Sequence, residues 1–139
     1  MAARETIPMD EAEVKELEDR YRSLLGYVSP RISSRLRTGA EIAPELVRMQ
    51  EDLRMKAMFP DCFDTKTAQL ILFGIQLAIP IGSAAKTHAW AAYRAGATKE
   101  ELHAVAGLAF LYRGMPALNL LGEVWQFIEE KEKEFPLPQ

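Results

Sequence analysis

The sequence is most informative in what it withholds. Among 139 residues there is one cysteine, Cys62, and there are two histidines, His88 and His103. A single thiol makes no internal disulfide, no Cys-x-x-Cys redox pair and no multi-cysteine zinc site. Basic residues do not prevail: 17 Lys and Arg against 20 Asp and Glu give a net charge of -3, which excludes the concentrated cationic face of a generic nucleic-acid binder. The first ten residues contain no apolar run of the kind a secretory signal needs, so the expected location is cytoplasmic. Alternating strand-like runs, internal repeats and low-complexity segments are all missing.

Uncharged stretches are also rare, with one exception. Ala68 to Ala85 runs eighteen positions without a charge, close to the length of a short membrane span. Gln69, Gln76 and Ser83 are polar, Pro80 and Gly82 interrupt it, and Asp61, Asp64 and Lys66 flank it with mixed charge. The expected structure is a helix buried on all sides, within the domain or between subunits.

What remains is a helical pattern punctuated by caps and breakers. With 48% hydrophobic and 27% charged residues, the chain suits one globular domain over 1–139. Helices are expected over about 10–25 with Gly26 at the end, from Ser29-Pro30 to near Gly39, and from Pro44 to before Pro60 with Leu46, Val47, Leu53 and Met58 apolar. A fourth starts at an Asp64 cap and runs to about Ile79, and a fifth starts between Pro80 and Ser83 and stops at Gly96. A sixth starts from a Thr98–Glu101 capping box and ends at Gly114; a seventh covers about Met115 to Glu134. The fold class is therefore all-α, a bundle of six or seven helices with short connections.

Few residues stand out as chemical. His88 shares a helical face with Ala84, Ala85, Ala91, Ala92 and Ala95. Small neighbours let a second backbone approach or leave room for a ligand, so His88 is either a packing histidine or a site residue. Trp90, Tyr93 and Arg94 lie on the adjoining face. The joint Tyr112-Arg113-Gly114-Met115-Pro116 gathers a phenol and a guanidinium at a turn; Arg113 is either a bidentate carboxylate clamp or a basic residue answering the helix dipole. His103 reads as a surface or half-buried residue, Cys62 as an unactivated loop thiol, and Glu129 to Glu134 as a solvated helix face. Glu41, Glu45, Glu51 and Asp52 have no partnering histidine and make no metal site.

From about Glu45 to Glu130 the chain resembles the carboxymuconolactone decarboxylase family, which includes the alkylhydroperoxidase D-like proteins. The resemblance is carried by Phe63-Asp64-Thr65-Lys66-Thr67-Ala68-Gln69-Leu70-Ile71, by His88 with Ala91-Ala92, by Ala95-Gly96-Ala97-Thr98-Lys99-Glu100-Glu101-Leu102, and by Tyr112-Arg113-Gly114-Met115-Pro116-Ala117. It implies a fold built around a helical hairpin, and a homo-oligomer, trimer or hexamer. The peroxidase branch carries Glu-x11-Cys-x2-Cys-x3-His, and the positions here are Gln69, Ile81, Ala84 and His88. Without either thiol, disulfide-based peroxidase chemistry has no nucleophile. The decarboxylase branch needs no thiol and no cofactor, because an unsaturated lactone is its own electron sink. The resemblance implies a lyase or decarboxylase acting on a small carboxylated lactone or unsaturated acid, with no metal. Its catalytic residues would be His88, Tyr112 and Gln69, and its substrate-binding residues Arg113, Arg94 and Trp90. The alternative is a non-catalytic ligand-binding or structural oligomer of the same fold.

Overall fold

The computed structural model describes residues 6–79 and 84–138. Among them it contains eight helices and no strand: α1 Glu11–Leu25, α2 Pro30–Ile42, α3 Pro44–Met58, α4 Thr65–Ala78, α5 Ala85–Arg94, α6 Lys99–Arg113, α7 Met115–Asn119 and α8 Leu121–Glu134. They fall into two compact units divided between Met58 and Phe59.

The first unit comprises α1 to α3. Asp10 accepts from Glu13 N at 2.8 Å to start α1, and Gly26, at φ +82°, ends it. Ser29 caps α2 with Pro30 in its first turn. Gly39, expected as the end of α2, instead lies within it, because its role is spatial: a Cβ there would come within 2.6 Å of Val47 Cγ2. The helix continues to Ile42 and the chain re-enters a helix at Pro44. Leu17, Tyr21, Leu36 and Val47 form the core, with Met9 and Ile32 packed on it.

The inward face of α3 differs from its apolar residues. Leu46 and Leu53 are exposed, while Glu51 is buried. It is tolerated because every polar group around it is paired. Tyr21 OH donates to Glu51 Oε2 at 2.7 Å, and Arg35 Nη2 lies 2.7 Å from Oε1. Arg35 and Arg54 each donate to the Tyr21 oxygen at 2.8 Å, so its one donor and two acceptor positions are filled. Burial, then the bond to Glu51, pushes the Tyr21 phenol above its ordinary pKa.

The second unit comprises α4 to α8. Helix α4 lies against α5 and α6, α5 against α8, and α6 against α7. Phe73, Leu77, Trp90, Leu102, Val124 and Ile128 fill the interior. Gly74 permits the α4–α6 approach, since a Cβ there would meet Val105 Cγ1 at 2.9 Å. The Thr98–Glu101 capping box forms in both directions, and Lys66 reaches from α4 to Glu101 at 3.0 Å. Helix α4 is not buried on all sides within the chain: Ile71, Ile75 and Ile79, four residues apart, are exposed along one edge. The expected start of the fifth helix at 80–83 lies outside the described residues. The expected seventh helix is divided at Leu120, whose backbone stays helical (φ -73°, ψ -17°) but whose N–H turns to Leu118 O.

Glu51→Ala is expected to lower stability by about 2–3 kcal/mol, because it strands the Tyr21 hydroxyl and one edge of Arg35; urea unfolding followed by circular dichroism measures it. Acid should loosen the α4–α6 contact. The Glu101 carboxylate is held below its ordinary pKa by the Thr98 backbone N–H and then by Lys66, and Asp64 by its bonds to Thr67. A depressed carboxylate contributes stability above its unfolded pKa and loses it as pH falls through the folded one. The midpoint of thermal unfolding should therefore fall below about pH 4, and Lys66→Met should flatten the Glu101 share of that loss.

Candidate functional site

The site begins with a close approach between α4 and α5. Alanines dominate the buried surface of α5: Ala85, Ala89, Ala91 and Ala92. Without bulky side chains between them, the two helices bring Gln69 and His88 together, with Gln69 Oε1 2.9 Å from His88 Nδ1. Gln69 is fully buried and His88 is 8% exposed. Gln76 adds a second tie, accepting from Ala84 N at 3.1 Å just ahead of α5.

The chemistry of that contact is directional. An amide oxygen only accepts, so Nδ1 carries the proton and donates to Gln69. Nε2 is then the basic nitrogen of the neutral ring. A glutamate at position 69 would favour the imidazolium; the amide orients the ring without adding charge. The same amide carries a second feature. Gln69 Nε2 is buried and, among the described residues, has no hydrogen-bond partner. An unmade hydrogen bond of this kind costs about 1–3 kcal/mol, which marks the position as chemically unusual.

The other candidate residues are placed separately. Trp90 is completely buried, its ring 6.2 Å from that of Tyr93, with the Arg94 guanidinium 5.8 Å from the Trp90 centroid. That arrangement is a packed stack at the far end of α5 from Ala84. Arg113 donates from Nη1 to Leu77 O at 2.8 Å, which joins the C-terminal ends of α6 and α4. Tyr112 is 93% exposed and stands outside the buried pair. His103 is exposed beside Lys99, Glu100 and Trp125, and Cys62 is an exposed free thiol. Among the described residues no three His, Cys, Asp or Glu side chains gather as metal ligands, and no helix is long and apolar enough to cross a membrane.

Residues 44–126 match the carboxymuconolactone decarboxylase family, and so include α4, α5, α6, α7 and the paired Gln69 and His88. The chain belongs to the carboxymuconolactone decarboxylase family. No curated protein and no solved structure matches it significantly. Within that family this member has the histidine on α5 and, opposite it, an amide. Sequence reasoning reached both residues, but the pairing of Nδ1 with Oε1 and the unsatisfied Nε2 follow only from the helix approach. It weighed Glu51 only as a metal ligand and missed its burial; the available signal was a glutamate one helical turn after the core residue Val47.

The geometry fixes an observable. At a pH where the ring is neutral, ¹⁵N spectra of the native protein should show His88 as the Nδ1–H tautomer. In Gln69→Glu the His88 titration midpoint should move upward, because a carboxylate favours the charged ring. A dominant Nε2–H tautomer in the native protein would contradict the assigned contact.

Proposed function

We propose that this protein is a cofactor-independent lyase or isomerase that moves a proton on a small carboxylated lactone or unsaturated acid, with His88 as the proton-transfer group. The observation that carries the reading is the buried His88–Gln69 contact: a titratable ring held in one orientation by a neutral partner. An imidazole can both give and take a proton at a ring nitrogen, which is what such a transfer needs. In a decarboxylation, the bond from carbon to the carboxylate breaks, CO₂ leaves, and the electron pair passes into the conjugated carbonyl. Carbon then takes a proton from His88 in its charged form, and the ring regains one from solvent. In an isomerisation, neutral His88 removes a proton beside the carbonyl and returns it at another carbon. Both routes pass through a negatively charged oxygen and neither needs a thiol.

Arg113 is the proposed carboxylate clamp, since a planar guanidinium pairs a carboxylate bidentately; its Nη1 also donates to Leu77 O. Tyr112 would act on substrate only where a second copy covers its end of α6. Exposed Ile71, Ile75, Ile79, Leu108 and Leu111 support such assembly, as a trimer or hexamer. The second reading, a non-catalytic binding oligomer of the same fold, draws on Trp90, which is wholly buried and stacked on Tyr93 as interior packing.

The test is turnover, or solvent deuterium incorporation, over a panel of carboxylated lactones and unsaturated acids. His88→Ala should lower the rate on any substrate found by about 100-fold or more, with the fold retained by circular dichroism. An undiminished rate would remove His88 from the chemistry, and no activity across the panel would favour the binding oligomer.

A further inference from the structure

We propose that the first turn of α5 and the Gln69 amide together form an oxyanion hole, which holds the negative oxygen of an enolate or dienolate beside His88. This rests on the proton-transfer reading of His88 and names what that reading leaves open: where the developing charge goes. Two independent observations converge on it. Helix α5 starts at Ala85 with Ala84 as its N-cap, which supplies no side-chain cap, so among the described residues the N–H groups of Ala85, Lys86 and Thr87 have neither an intrahelical acceptor nor a capping side chain. Such an end attracts negative charge. Separately, the buried Gln69 Nε2 presents a donor without an acceptor.

The two lie together because of His88. Its N–H closes the first turn of α5 onto Ala84 O at 3.0 Å. Helical side chains lean back toward the N-terminus, so the imidazole, and the Gln69 amide bonded to its Nδ1, lie over that first turn. No acid competes for these donors from the chain between Ala68 and Ala85, which carries no charge. Lys86 lies 3.8 Å from Glu123 and the pair is partly solvated, so its charges are screened from the buried donors. Fixed neutral donors in a buried site favour charge that develops during a reaction over a fully charged carboxylate already present in the substrate. The substrate class is thereby narrowed to acids and lactones whose carbonyl conjugates with the reacting carbon.

The probe is 4-nitrophenol, whose phenolate is a coloured mimic of a delocalised enolate. The native protein is expected to bind the phenolate in preference to the phenol, which lowers the apparent pKa of the bound probe. Gln69→Leu removes the amide, and Ala85→Pro removes one N–H at a helix position where proline is accepted; each should weaken phenolate binding at least about tenfold. Gln69→Glu should abolish it, and Ala85→Val, which adds bulk but keeps the N–H, should retain it. Circular dichroism checks folding, and if Ala85→Pro unfolds, the two Gln69 variants decide. Native-like phenolate binding by Gln69→Leu, or no preference of the native protein for phenolate over phenol, would overturn the proposal. The outcomes separate the two readings: phenolate binding that persists in a protein whose His88→Ala variant loses no turnover would sink the proton-transfer role alone.

Discussion

One hydrogen bond between two helices organises the candidate site: His88 Nδ1 to Gln69 Oε1, 2.9 Å, out of solvent. It requires that α4 and α5 pack closely, which the alanines of α5 allow. It orients the imidazole, and because the partner is an amide, it does so without placing a negative charge beside the ring. It also occupies only one end of that amide, which leaves a buried donor for which the described protein groups supply no acceptor. Tautomer, ring orientation and the unsatisfied donor are three consequences of the same contact.

The helical unit of α1 to α3 is stabilised by a different device. Its core is small, and a buried carboxylate stands where an apolar side chain would ordinarily be. Glu51 is compatible with burial because Tyr21 and Arg35 meet both its oxygens, and Arg54 completes the shell of the phenol. Such a cluster specifies one arrangement of three helices more sharply than leucines would, since a slip of one residue would bury an unpaired charge.

Much of this was legible beforehand. The caps at Asp10, Ser29, Asp64 and Thr98 act locally, through an oxygen three residues before the N–H it accepts, so they need no tertiary information. Membership of the carboxymuconolactone decarboxylase family was legible for a related reason, as it is written in the order of short motifs along residues 44–126. Gly39 was misread because a glycine that ends a helix and one that admits a neighbouring Val47 look alike in sequence. Leu46 and Leu53 were apolar but exposed, since hydrophobicity gives a helix no sign of which neighbour it will meet.

The sequence by itself determined the all-α class, the starts of the helices, the absence of a thiol pair and the choice of His88 and Gln69 as the residues in question. The choice of Gln69 came through the family resemblance; the others depend on composition and on contacts a few positions apart. Tertiary structure alone decided that the two residues touch, which imidazole nitrogen carries the proton, that Trp90 belongs to the packed interior, and that Tyr112 faces outward. Those outcomes depend on how residues nineteen positions apart are juxtaposed by helix packing, and packing is set by the fit of whole surfaces and not by any local pattern.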